Sequence, residues 1–593
     1  MEGSNEARAG RPVPLNSMTT RITRRSLLKT TVKAGAGLFV LNRLNVQGAP
    51  FLLIKKENQT DRYSAVYKRL DEFITRHMAE VNAPGMTVAI ADRQGILRTM
   101  QYGFADLKTG ARVTPNTLFE IGSISKSFVA IAIVQLADEG KLDLNKPVKD
   151  YLPWLKIESS HAPFTTHHLL SHTSGLSTVP LLLRVTGQTL RTGPEPGSEF
   201  AYCNLGYDLL GLLLETIDKR PFAEALRQRV LRPLGMSASE PVINDAARER
   251  IAVGYRPLYD DRPFPVKGKL AEAPWIEVPE AAGSVASTAD DMCKYLSMLL
   301  NHGDASRNSV LSRKAFNLFT KPVIKAPFRG EDASYAYGLW TSDTKGHTLL
   351  RHTGGMVAFS SAMYADLTDG FGVFASVNAR LAGGYRPVAV ARYALDLLSA
   401  AAAGKELPAL PPPAPAPDHV LNAQQFAGTY VNAEGQKLVF SSDGPRVMLQ
   451  YNGSQLVLEG AGRDRFIVPH PDFELFTLNF GRDSKNVIVE VFHGSNWWTN
   501  QSYIGPKVFG YNTDWEAFTG HFRSDSPWYG SSRVIIRKGK LLLDDQALIG
   551  ITAGVFQPEG GTAADRVVFD TMISGKASRM NYSGIDFFRT FTA

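Results

Sequence analysis

Cysteine is nearly absent from the chain. Two in 593 residues, Cys203 and Cys293, exclude a disulfide framework and leave room for one bridge at most. Two separate buried thiols are the simpler expectation. Neither stands at metal-ligand spacing, and the sequence has no H-E-x-x-H and no paired C-x-x-C, so no metal or other cofactor is expected. Long apolar runs are also missing. Nothing approaches the roughly 18 residues a membrane-crossing helix needs, so no integral membrane segment is expected in the mature chain. Charge of one sign is scarce outside the N-terminus. The net charge is +8, but residues 1–49 hold eight Lys/Arg against two Asp/Glu; that is six of the eight, leaving +2 for the rest. Charge balance therefore makes no case for nucleic acid.

What is present is ordinary globular material, 44% apolar and 21% charged. A chain of 593 residues exceeds one hydrophobic core, so two to four domains are expected. Residues 1–49 read as an export signal. Thr23-Arg24-Arg25-Ser26-Leu27-Leu28-Lys29 has the order of a twin-arginine signature, Ala34 to Leu41 is mildly apolar, and Gly48-Ala49 offers a cleavage site. The expected location is periplasmic or extracellular, with Met18 an alternative start.

Residues 60–403 carry the spacing of one α/β (α+β) unit, an antiparallel sheet flanked by helices with a helical lobe. Val66, Leu70, Phe73, Ile74 and Met78 predict a helix over Tyr63 to Val81. Met86–Ala91 and Ile96–Tyr102, around Asp92-Arg93-Gln94-Gly95, predict a hairpin. Helices follow at Phe222–Leu231 and after the capping residues Ser287-Thr288, strands return over Thr348–Asn378, and a helix over Pro387–Ala402 closes the unit. Residues 404–420, with Pro411-Pro412-Pro413-Ala414-Pro415-Ala416-Pro417, predict a stiff linker. Phe426-Ala427-Gly428-Thr429-Tyr430 and Phe518-Thr519-Gly520-His521-Phe522 open two β-rich segments, 421–510 and 511–593, expected to be a duplicated all-β barrel. Trp497, Trp498, Trp515 and Trp528 are expected in the barrel cores. The short linker predicts that this tail gates the pocket.

The chemistry gathers at Gly122-Ser123-Ile124-Ser125-Lys126, ahead of the apolar helical run 128–136. Three residues apart on a helix, the Ser123 hydroxyl and Lys126 amine share a face. The helix N-terminus offers free N–H groups to an oxyanion. The spacing alone carries little: Ser26-Leu27-Leu28-Lys29 repeats it in the presumed signal. Two further sites give it weight. Tyr202 and Asn204 place a phenol and an amide beside a lysine. Arg351-His352-Thr353-Gly354-Gly355, at a predicted strand end, lets a substrate approach and offers an N–H for an oxyanion hole, and a peptide could pair along that edge. His167, His168 and His172 read as structural.

Ser123-x-x-Lys126, Tyr202-x-Asn204 and His352-Thr353-Gly354, in that order, resemble the serine β-lactamase/penicillin-binding-protein superfamily. Its class C-related branch is resembled by the flanks Leu170-Ser171-His172-Thr173-Ser174-Gly175-Leu176, Gly283 to Asp291 and Tyr337-Gly338-Leu339-Trp340. Histidine in the third motif is similar to D-aminopeptidases and related esterases, whose two lipocalin-like C-terminal barrels the tail resembles. The resemblance implies a serine hydrolase acting through an acyl-enzyme on small amides, esters or peptides, including those of D-amino acids. Ser123 would be the nucleophile, and either Lys126 or Tyr202 the base. Tyr202 would also serve the leaving group, Asn204 would position, His352 would bind substrate or tune Tyr202, and Ser123 and Gly355, beside Thr353 and Gly354, would supply the oxyanion N–H groups. The alternatives are a β-lactam or peptidoglycan sensor, a ligand-binding protein without efficient turnover, or a true β-lactamase. A small-molecule, peptide or ester substrate is the expected partner, and nothing sets the oligomeric state.

Overall fold

The computed structural model describes residues 63–179, 189–305, 309–344 and 346–590. The expected export segment, residues 1–49, lies outside the described residues. Among the described residues, no helix is long and apolar enough to cross a membrane.

The first part is a nine-stranded sheet with helices on both faces. Helix α1 (Ser64–Val81) leads into β1 (Gly85–Asp92), β2 (Gly95–Asp106) and β3 (Ala111–Arg112). Helices α2 (Ser125–Asp138), α3 (Asn204–Asp218) and α4 (Ala289–Leu300) follow. Then come β4 (Ile324–Lys325), β5 (Ala333–Tyr335), β6 (Trp340–Thr344), β7 (His347–Gly355), β8 (Ser360–Asp366), β9 (Phe371–Val377) and α5 (Val388–Ala402). The strand order is β4-β5-β6-β7-β8-β9-β1-β2-β3, so the first hairpin closes against the last. Every pairing is antiparallel.

β1, β8 and β9 are buried along their whole length because both faces are covered. Alternate residues serve different cores. Val88, Ile90, Ala362, Tyr364 and Val373 pack with Leu70, Ile74, Leu397 and Leu398 of α1 and α5. Ala89, Ala91, Met363, Ala365 and Phe374 face Phe128, Ile131, Met292 and Leu296 of α2 and α4. Each Val, Ile, Leu, Phe or Met among them contributes about 1.5–3 kcal/mol on burial. Helix α2 is buried from Ser125 to Val134, so its apolar run has no polar stripe to spare. Thr288 caps α4, accepting from the Asp291 N–H at 3.3 Å. The expected helix over Phe222–Leu231 divides into an α-helical Phe222–Leu226 and a π-helical Arg227–Leu231. Cys203 and Cys293 are separate, buried, free thiols.

The proline segment is stapled to this unit. Arg69 donates to the Leu407 and Pro408 carbonyls at 2.9 and 2.8 Å, and Tyr393 Oη to Pro408 at 3.3 Å. Both tail segments are all-β, but they close differently. Gly520–Arg523 to Ile585–Arg589 form a closed eight-stranded barrel. The first is a nine-stranded sheet whose two ends, Ser454–Val457 and Glu459–Gly460, are consecutive in sequence around the buried Leu458. One bent segment thus pairs with Arg446–Tyr451 through its first half and Arg465–Ile467 through its second, nearly completing the ring.

The tryptophans divide in a way sequence did not anticipate. Trp498 is core in the first barrel and Trp515 packs on the second. Trp497 stands at the junction of the barrels, where Lys538 Nζ lies 5.1 Å over its ring and 2.8 Å from Glu490. Trp528 leaves its own barrel and packs on a cluster of the sheet unit that includes Phe119 and Phe359.

Candidate active site

The site is built around a turn between a short strand and a buried helix. Phe119–Glu120 pairs with Ala286–Ser287, and Ile121 N–H donates to Val285 O at 3.0 Å. Gly122 takes φ +55°, and a Cβ there would press on the Gly355 backbone at 2.8 Å. A 3-10 turn over Gly122–Ile124 then feeds α2. Ser125 points inward, accepting from Val285 N–H at 3.0 Å. Ser123 is half-buried, whereas its neighbours from Ile121 to Val134 are otherwise buried, so its hydroxyl is the accessible one.

Lys126 is fully buried and makes three contacts. Its Nζ lies 3.2 Å from Ser123 Oγ, 2.7 Å from Asn204 Oδ1 and 2.7 Å from Ala282 O. Burial lowers its pKa to about 7, against the pull of Asp208 and Cys203. Asp208 stands one turn beyond Asn204 on α3 and accepts from Ala282 N–H at 2.9 Å. One residue, Ala282, is thus held by the lysine at its carbonyl and by the aspartate at its amide.

Tyr202 precedes α3, whose N-cap is Cys203. Its ring centre is 5.1 Å from Lys126 Nζ, and Ser123 is among the groups that act on its phenol. Burial pushes the phenol well above its usual pKa. His172 supports it: its ring lies 4.2 Å from the Tyr202 ring, and its Nδ1 accepts from Cys203 N–H at 3.0 Å. What His172 packs on is thus the site tyrosine. His167 Nδ1 bonds the Tyr337 hydroxyl at 2.6 Å, and His168 Nδ1 accepts from Thr165 N–H.

The third motif ends β7. His352 is buried, its Nδ1 2.7 Å from Thr353 O and its Nε2 3.4 Å from Tyr335 Oη. Burial and the nearby Lys126 lower its pKa to about 3, so it is neutral. Its ring is 6.3 Å from that of Tyr202. β7 is an interior strand, which corrects the expectation of a sheet edge. Only part of it is open: β6 pairs with His347 to Arg351 and stops, leaving His352 to Gly355 unpaired on that side. Gly354 is obligatory there, since a Cβ would overlap Ile121 O and Ser361 Oγ, which are themselves bonded at 2.8 Å. A Gly354→Ala chain is expected to lose about 1–3 kcal/mol of stability by overpacking. It should also lose about 100-fold in kcat, because the Gly355 N–H beside it moves. Thermal melts and steady-state rates on one preparation check both.

Ser123, Lys126, Tyr202, Asn204, His352, Thr353, Gly354 and Gly355 therefore share one site. Sequence reading missed Asp208, whose i+4 spacing from Asn204 was a usable signal. It also missed Ala282 and Arg386, which carry none. Arg386 lies against Gly355, donates to Tyr385 O at 2.7 Å and bears electrostatically on Tyr202. The second barrel docks next to the site: Ser177 Oγ donates to Asp565 Oδ1 at 2.6 Å, and the Ser177 carbonyl accepts from Cys203 Sγ at 3.1 Å.

Residues 70–397 match the family model described as Beta-lactamase. "Protein flp" of Staphylococcus aureus (strain MRSA252) is 26% identical over 326 residues, covering 52% of this chain and 62% of that protein. The chain thus spans less than two thirds of that relative. "Penicillin-binding protein 4" of Amycolatopsis lactamdurans is 30% identical over 275 residues, 43% of this chain and 69% of that protein. The solved structure of the octameric penicillin-binding protein homologue from Pyrococcus abyssi is similar with a TM-score of 0.51 and 25% identity, over 74% of this chain and 99% of that one.

Proposed function

The chain belongs to the Beta-lactamase family, and on that premise we propose that it is an exported serine hydrolase that cleaves small amides, esters or peptides, those of D-amino acids included, through an acyl-enzyme on Ser123. The observation that carries this is the 3.2 Å approach of Lys126 Nζ to Ser123 Oγ, with the amine's pKa near 7.

In this reading neutral Lys126 takes the Ser123 proton as Oγ attacks the acyl carbon. The carbonyl π pair moves to oxygen, and the oxyanion sits between the Ser123 and Gly355 N–H groups, each worth about 3–4 kcal/mol. The tetrahedral species collapses by breaking the bond to the leaving nitrogen or oxygen. Tyr202 passes that group a proton and is reprotonated from Lys126. Water then attacks the Ser123 ester, with proton transfers reversed, and releases the acid. Lys126 is favoured over Tyr202 as the base because burial helps an amine lose its proton and hinders a phenol. Neutral His352 would accept or donate a hydrogen bond to substrate along the open half of β7.

The domain reading that goes with this is an export signal over 1–49, a hydrolase unit over 60–403, a linker over 404–420 and barrels over 421–510 and 511–593. Gating by the tail is supported by the Ser177–Asp565 contact. Treatment with a fluorophosphonate probe, followed by peptide mapping, tests the reading: the adduct is expected on Ser123, and a protein left unlabelled while it turns over esters would sink it. A second reading, a penicillin-binding protein that acylates without efficient release, is favoured by the names of two relatives. A chromogenic cephalosporin separates them: a stable Ser123 adduct supports the second, and multiple turnover a β-lactamase.

A further inference from the structure

One ring beyond Tyr202 stands an aromatic wall that the chemistry above does not use. Phe200 precedes Tyr202 by two residues, and their ring centres are 6.5 Å apart. From Phe200 the contacts run to Trp340 at 5.2 Å, to Tyr335 at 5.4 Å and to Phe328 at 5.7 Å, and Phe328 meets Trp340 edge-on at 6.0 Å. Tyr335 and Trp340 are buried, and the Arg329 guanidinium lies 5.3 Å over the Trp340 ring. Phe328 is different. It is 66% exposed, and Phe200 and Tyr202 are half-buried.

Exposure here does not mean freedom. Phe328 lies in a 3-10 turn, Pro327–Arg329, between β4 and β5. Arg329 N–H donates to Ala326 O at 2.9 Å, Gly330 N–H to Pro327 O at 3.0 Å, and Arg351 Nη2 of β7 to the Arg329 carbonyl at 2.9 Å. A ligand that covers such a ring gains apolar burial without first having to order it.

Two observations say which ligand. Trp340 begins β6 and pairs with Arg351, so the wall stands where the open half of β7, His352 to Gly355, starts. Tyr202, which protonates the leaving group in the mechanism above, is also the link between Ser123 and Phe200. A departing group that reaches the Tyr202 hydroxyl carries its substituent toward these rings.

We propose that Phe328, with Phe200 and Tyr202, forms a leaving-group subsite for an aromatic ring, so that the preferred substrates are esters and amides with an aromatic group on the departing side. For turnover this rests on the acyl-enzyme reading; for binding it does not.

The two arms of the test follow that division. The full chain is assayed with 2-phenylethyl, 2-cyclohexylethyl and ethyl acetates, whose alcohols have similar acidity, so that the ratios report how the departing group is held. The phenylethyl ester is expected to exceed the ethyl ester by more than about tenfold in kcat/KM. It should exceed the cyclohexylethyl ester by about three- to tenfold, the share owed to ring–ring geometry. That second ratio should fall to near one in Phe328→Ala and survive in Phe328→Tyr. A wild-type ratio near one, or a ratio untouched by Phe328→Ala, overturns the proposal. Separately, calorimetry on the full-length Ser123→Ala chain compares binding of the phenylethyl and cyclohexylethyl esters. Tighter binding of the phenylethyl ester, lost in Phe328→Ala, supports the subsite even if the wild type turns over no ester, a result that would count against the acyl-enzyme reading instead. Equal or absent binding of both overturns the subsite even if Ser123 is shown to carry the acyl group.

Discussion

Replacing Ser123 by alanine is expected to lower kcat/KM by about 10⁴–10⁶-fold while leaving the melting temperature within a few degrees. Removing the nucleophile of an acyl-transfer site typically costs that much, because the remaining donors stabilise a transition state that no longer forms. The residual rate should be low here for a local reason. The other nucleophilic atom near the site, Cys203 Sγ, donates to Ser177 O at 3.1 Å and accepts from Gly206 N–H at 3.3 Å. Burial pushes its pKa up to about 12, so it offers almost no thiolate. Stability should barely move, because Ser123 is half-buried and Lys126 keeps Asn204 and Ala282 as partners. Steady-state rates beside a thermal melt decide it. Turnover within tenfold of wild type would remove Ser123 from the mechanism.

The second large effect concerns Lys126. Lys126→Met is expected to reduce kcat/KM by about 10³–10⁵-fold, the range for loss of a base that acts as a unit with its nucleophile. Methionine has similar bulk, so the pocket stays filled. Two opposing stability terms are each a few kcal/mol: relief from burying an amine, and the loss of donors to Asn204 Oδ1 and Ala282 O. The melting temperature should therefore shift little.

The pH profile carries the sign. Lys126 must be neutral to accept the Ser123 proton, and its pKa is lowered to about 7. The wild-type kcat/KM should rise as pH climbs through about 7. Tyr202→Phe should be slower, yet keep that ascending limb, since the phenol's raised pKa places its ionisation far above it. A limb that disappears with Tyr202→Phe would transfer the base role to the phenol.

Much of the fold was legible because its signals are local. The 3–4 spacing of Val66, Leu70, Phe73, Ile74 and Met78 made α1 readable, and the turn residues Asp92–Gly95 between two short strand-like runs made the first hairpin readable. The motif residues were legible as types in order, and the structure brings all eight to one site. Other features depended on partners distant in sequence. That β7 is interior, with only its last four residues open, follows from where β6 ends. That Trp528 abandons its barrel follows from an apolar surface on another unit. The unusual closure of the first barrel turns on a single bend at Leu458 that no turn residue announces.

The order of residues by itself determined which groups could do chemistry here: a hydroxyl and amine one helical turn apart, a phenol, an amide and a glycine-rich strand end. It did so because helical spacing and backbone freedom act over a few residues. Whether the amine is neutral near pH 7 and whether the histidine is charged were decided only by tertiary structure. Those properties are set by how much water and which charges remain around a group, and chain segments hundreds of residues away supply both.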